Sequence, residues 1–172
     1  MNPSLVGSEM CIRDSYWDPD CRGALYGLTR NTGPAEIAKA TLESVCYQTS
    51  DLLTAISKDL GENKLNAIRV DGGMAASNWT MQTLANLVQL PVDRPKNLET
   101  TALGAAYLAG MQVGFYPSMD EFAKSWQSEN QFNSIINDDQ REKKLAGWKD
   151  AVERTLSNLS LIHISEPTRL GF

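Results

Sequence analysis

Apolar positions along this chain recur with helical spacing in some segments and bunch into short runs in others, and the pattern changes where glycine and proline fall. The clearest segment opens at Gly33-Pro34, where proline suits the first helical position because its missing N–H would be unpaired there anyway. From there Ala38, Leu42, Val45, Thr49, Leu52, Ile56 and Leu60 recur in steps of three and four. The spacing predicts one long helix with this stripe buried, ended by Gly61 in the left-handed conformation. Residues 67–70 predict a short strand running into Asp71-Gly72-Gly73. A second helix over 78–88 places Met81, Leu84, Leu87 and Val88 on one face; Pro91 stops it, and Val92 begins another short strand. Thr100 or Thr101 caps a third helix through Ala109, rich in alanine and glycine and closed by Gly110 and Gly114. A short helix over 119–126 and an extended segment over 129–135 follow. The last element is an amphipathic helix over 138–156 carrying Leu145, Trp148, Val152 and Leu156. Residues 16–31 read as an ordered loop or short strand. Helix, strand, helix, strand, helix is the order of an α/β layer fold.

The two ends stand apart from this pattern. Residues 5–15, LVGSEMCIRDS, and 159–169, LSLIHISEPTR, can be encoded by complementary strands of one stretch of DNA, which resembles a transposon-end sequencing adapter. The expectation is that residues 1–15 and 159–172 are non-native and that 16–158 is the native domain, with its true ends lost. Setting the ends aside removes the single histidine, His163, and one of three cysteines, Cys11. Cys21 and Cys46 remain, too isolated for a disulfide framework or a zinc spacing, and are expected to be small buried residues in a reducing compartment.

Net charge is −5 and no block of like charge is present, which argues against nucleic acid as a partner. No apolar run is long enough to span a membrane and no secretory signal is visible, so a cytoplasmic setting is expected.

Residues 69–82, RVDGGMAASNWTMQ, carry the candidate chemistry. Glycines at a strand end let a ligand approach the backbone, and the N–H groups of the following helix suit phosphate or other anions. Ligands in open α/β sheets sit beyond the carboxyl ends of strands, where this turn lies. The pattern also describes a plain tight connection, with Ser77 or Asn78 as a helix N-cap. Asp18, Asp20, Glu36 and Glu43 are expected in solvated or capping roles rather than as a general base.

Residues 23–43, GALYGLTRNTGPAEIAKATLE, resemble the second signature of the carbohydrate kinase family that includes glycerol, xylulose and gluconate kinases. The Gly-x-Leu-x-Gly-Leu start, a seven-residue gap, Glu36-Ile37 and Ala40-Thr41-Leu42-Glu43 come in order. DGGM followed by MQ, ETTALGAAYLAG at 99–110, YWDPDCRGALYGLTR at 16–30 and AGWKDAVER at 146–154 are similar to the glycerol-phosphorylating branch in particular. The resemblance implies part of the second domain of the actin-like, ribonuclease H-like ATPase fold. It also implies ATP or ADP with Mg²⁺ as cofactor, and glycerol as the substrate of the intact parent. Gly72 and Gly73 would contact the adenosine side of the nucleotide. An asparagine usual four residues past the second glycine is here Ser77, with Asn78 next to it, so either residue is open for that contact. Small residues over 101–109, Gly104 above all, would pack that helix close to the sheet. The resemblance places the catalytic acid, the polyol-binding residues and much of the phosphate cradle upstream of this segment. No catalytic residue or metal ligand is therefore assigned here, and the chain alone is expected to be inactive. A pentulose or gluconate kinase, a stand-alone nucleotide-binding module and a homo-oligomeric parent are left open.

Overall fold

The computed structural model describes residues 4–6, 18, 21–61 and 65–156. Along the chain run β1 (Ser4–Val6), β2 (Ala24–Tyr26), α1 (Pro34–Leu60), β3 (Ile68–Arg69), a 3-10 turn (Gly73–Ala76), α2 (Asn78–Val88), β4 (Val92–Pro95), α3 (Thr100–Gln112), α4 (Met119–Ala123), β5 (Ser128–Phe132) and α5 (Asp138–Thr155). They divide into two compact units, Met1–Ser44 with Lys144–Phe172, and Val45–Lys143.

In the first unit β1 and β2 pair antiparallel, Leu5 opposite Leu25. All of β1 falls in residues 1–15, the segment expected to be non-native; the ladder is backbone pairing, which any residue but proline supplies. At the start of α1 the Glu36 carboxylate accepts the Gly33 N–H at 2.8 Å, a capping contact that anchors the first turn. Ala40, Glu43, Ser44, Trp148, Ala151 and Val152 are buried in this unit. Glu43 meets Lys144 at 3.1 Å, and the Cys21 thiol donates to the Thr155 carbonyl at 3.1 Å.

The second unit is organised by a mixed sheet in the order β3-β4-β5. β3 and β4 are parallel, Ile68 opposite Val92, which requires the crossover that α2 supplies. β5 pairs antiparallel to β4, with an irregularity between Arg94 and Pro95, where proline has no N–H for the ladder. Leu87 and Val92 are fully buried at the centre, beside Met81, Leu84, Ala85 and Phe132 in the buried set. Full burial of a side chain such as Leu87 contributes about 1.5–3 kcal/mol. α2 ends as its spacing predicts: Gln89 takes the left-handed conformation at φ 56° and its N–H returns to the Ala85 carbonyl. A separate aromatic cluster joins Tyr107, Tyr116 and Phe122, with the rings of Tyr107 and Phe122 stacked at 4.1 Å. Among the described residues no helix is long and apolar enough to cross a membrane.

Several sequence expectations are corrected. The predicted stripe of α1 is not the buried one: Ala38, Val45, Leu52 and Ile56 are exposed, and Leu42, Thr49 and Leu60 only half-buried. The buried positions are Ala40, Glu43, Ser44, Cys46, Tyr47 and Ser50. Four of these six, Ala40, Ser44, Cys46 and Ser50, have small side chains, whereas Val45, Leu52 and Ile56 of the predicted stripe are exposed. Glu43 is accordingly neither solvated nor capping but buried against Lys144. α3 begins one residue earlier than a Thr100 cap allows, with Glu99 as its N-cap, and runs past Gly110 to Gln112. α4 stops at Ala123, three residues short of its predicted end, and β5 at Phe132. Asp18 accepts the Cys21 N–H at 3.2 Å, while Asp20 lies outside the described residues. Gly61 ends α1 at φ 59°, and both Cys21 and Cys46 are buried, as expected.

Candidate functional site

The glycine turn sits where β3 hands the chain to the 3-10 turn and α2. Gly72 has φ 81° and ψ 174°, a backbone region that is almost exclusively glycine's. Its N–H donates to the Leu98 carbonyl at 3.0 Å, and the Thr100 hydroxyl donates to the Asp71 carboxylate. The segment after β3 is thus tied to the segment after β4, at the carboxyl ends of two parallel strands. A β-carbon placed on Gly72 or Gly73 would meet no atom within 4 Å, so the space over the turn is open to a ligand.

The structure brings all four predicted binding residues together on this turn and the start of α2. It also decides between the two candidate caps. Ser77 is the N-cap, its hydroxyl accepting from the Thr80 N–H at 3.2 Å and from the Thr80 hydroxyl at 2.9 Å. Asn78 is the first residue of α2, exposed, with its Oδ1 accepting from Arg94 Nη1 at 2.7 Å.

Arg94 was not among the residues the sequence singled out. It is buried at 8 % exposure, and Nη1 also reaches the carbonyls of Ala75 and Ala76 at 3.2 and 3.3 Å. Its Nε lies 2.8 Å from the Glu129 carboxylate without an aligned N–H, so that contact is an ion pair rather than a hydrogen bond. The guanidinium sits over the Phe132 ring, 5.3 Å from its centroid. The available signal was a charge inside a short strand, between Val92 and Pro95. Gly104 does not pack as predicted: a β-carbon there would also meet nothing within 4 Å.

Among the described residues, Glu36 and Cys21, both in the other unit, titrate away from their ordinary values. The Gly33 N–H, with Glu36's own N–H, holds the Glu36 carboxyl below its usual range; burial, and then Asp18, push the Cys21 thiol up. Among the described residues no group of three or more His, Cys, Asp or Glu is placed to hold a metal ion.

A model of the C-terminal domain of the FGGY family of carbohydrate kinases matches residues 4–113. The glycerol kinase of Allorhizobium ampelinum is 60% identical over 144 residues, covering 83% of this chain and 29% of that protein. The glycerol kinase of Methylobacterium nodulans is 59% identical over 152 residues, covering 87% and 30%. Among solved structures, that of Plasmodium falciparum glycerol kinase with ADP superposes with a TM-score of 0.77 at 33% identity, over 92% of this chain and 31% of that one. A ligand-bound xylulose kinase from Lactobacillus acidophilus matches with a TM-score of 0.55 at 25% identity, over 81% and 27%. This chain therefore spans about three tenths of the length of the proteins it matches. The family match, the glycine turn at the end of a parallel strand and the shared α/β fold agree: the chain belongs to the FGGY family of carbohydrate kinases, with the actin-like, ribonuclease H-like fold of that family's C-terminal domain.

Proposed function

We propose that this chain forms one wall of the nucleotide site of an ATP-dependent glycerol kinase. The parent reaction moves the γ-phosphoryl group of ATP to a terminal hydroxyl of glycerol, giving glycerol 3-phosphate and ADP. The observation that carries the reading is the open Gly72-Gly73 turn, joined to relatives named glycerol kinase at 59–60% identity. The greater similarity to the ADP-bound glycerol kinase than to the xylulose kinase favours glycerol over a pentulose.

Phosphoryl transfer asks a protein chiefly for positioning and charge stabilisation. On this reading the Gly72-Gly73 backbone lies against the adenosine side of ATP, close because neither glycine carries a side chain. Ser77 and Asn78 shape the start of α2 beside it. Mg²⁺ would shield the phosphate oxygens when bound, and no residue of this segment is assigned to hold it. The proton acceptor for glycerol belongs outside this segment too, and the chain alone is proposed to be inactive. A cytoplasmic setting is part of the same proposal.

The test is a transplant. Residues 16–158 replace the corresponding segment of the Allorhizobium ampelinum glycerol kinase, and ADP release is followed with and without glycerol. The folded chimera is expected to release ADP only with glycerol, while the isolated chain releases none. A folded chimera that binds glycerol but no ATP contradicts the assignment of this segment to the nucleotide wall.

A further inference from the structure

We propose that Arg94 is a positioning residue of the nucleotide site, which fixes both the shape of the glycine turn and the hydrogen-bonding sense of Asn78; the inference rests on the nucleotide reading of that turn. An arginine side chain carries donors and no acceptor. The 2.7 Å contact from Nη1 therefore makes Oδ1 the Asn78 atom that faces Arg94. Nδ2 is left without a partner among the described residues, on an exposed side chain at the start of α2. Asn78 then keeps two N–H donors that no described residue takes up. What it recognises must be an acceptor, such as a ring nitrogen of a purine, and not an exocyclic amine.

The same Nη1 shares its hydrogens with the Ala75 and Ala76 carbonyls, so one group sets the turn and the amide together. Arg94 is itself fixed from β5, by Glu129 at 2.8 Å and by the face of Phe132. Lysine in its place keeps the charge but, with a single nitrogen, cannot reach Asn78 and the two carbonyls while its charge stays beside Glu129. Aspartate in place of Asn78 keeps the pairing with Arg94, now as a charged pair, and removes both outward donors.

The test is calorimetric titration of the full 172-residue chain with ADP, with thermal unfolding measured beside it, for the unaltered chain and for R94K, E129Q and N78D. R94K and N78D are each expected to weaken ADP binding roughly tenfold or more, the scale of one charge-assisted or buried hydrogen bond. E129Q, at a half-exposed carboxylate, is expected to weaken it less. N78D decides the matter even if R94K does not fold, because it is expected to lose ADP affinity while its melting temperature holds or rises. If affinity merely follows melting temperature, and N78D binds ADP like the unaltered chain, Arg94 is structural only and the inference is overturned. If the unaltered folded chain takes up no ADP, the functional proposal fails and this one falls with it.

Discussion

Gly110 lies directly against the ring of Tyr116: a β-carbon on Gly110 would come within 2.3 Å of Cδ2 and 2.7 Å of Cε2. Around that ring, Phe115 and Phe122 lie edge-on and Tyr107 is tilted 5.8 Å away. The backbone adds to the constraint, because the Phe115 N–H donates to the Gly110 carbonyl at 2.8 Å. Gly110→Ala forces an overpacked contact and is expected to cost about 1–3 kcal/mol. Urea unfolding checks it; an unchanged midpoint means that the cluster can shift freely.

The two glycines of the turn should separate stability from binding. Gly72→Ala must hold φ 81° with ψ 174° and is expected to cost about 1–3 kcal/mol with no steric clash to blame. Gly73 has no such backbone demand and open space around it. Gly73→Ala is therefore expected to leave the unfolding midpoint within about 0.5 kcal/mol while weakening ADP, because the methyl group occupies the approach to the backbone. Midpoints and ADP affinities measured on both variants test the pair.

Acid should loosen the start of α1 through Glu36. Its carboxyl is held below the ordinary value by the Gly33 N–H, so its contribution is present above the unfolded carboxylate value and lost as pH falls through the folded one. Glu36→Gln is expected to lower stability at pH 7, and the difference from the unaltered chain is expected to narrow at about pH 3, below the ordinary carboxylate range. Urea midpoints at the two pH values supply the check, and a difference that persists in acid removes the charged cap from the account.

The buried face of α1 makes a sharper contrast. Tyr47 is 7% exposed and Leu52 59%. Tyr47→Ala is expected to cost about 3 kcal/mol or more, and Leu52→Ala within about 0.5 kcal/mol. Had the apolar stripe been the packed one, the loss at Leu52 would reach about 2–5 kcal/mol, and denaturant titration resolves that range.

That contrast shows where the sequence is informative and where it is not. α2 was legible because local and tertiary signals coincide there: Ser77 caps it, and Met81, Leu84 and Leu87, which its spacing aligns, are all buried. α1 was legible as a helix, from Gly33-Pro34 to Gly61, but not as a packed face. Periodicity marks a stripe that could be covered; it does not name the covering element, and Ser44 and Ser50 are buried instead of Leu52. The four binding candidates could be named from the sequence because a turn and a helix start are contiguous there. Arg94 was hidden because its contacts reach across 16 to 19 residues to the turn and to Glu129 on a neighbouring strand, a relation that only strand pairing creates. Gly104 misled in the opposite sense: smallness suggested a close approach, and the close approach is at Gly110.

The most direct test of the central claim is to titrate the isotopically labelled chain with ADP and follow each backbone amide by NMR. Saturable shifts centred on Gly72, Gly73, Ser77 and Asn78 are the predicted result. A folded chain whose amides at that turn stay fixed up to millimolar ADP, or whose saturable shifts fall elsewhere, contradicts the claim that the turn is a nucleotide wall.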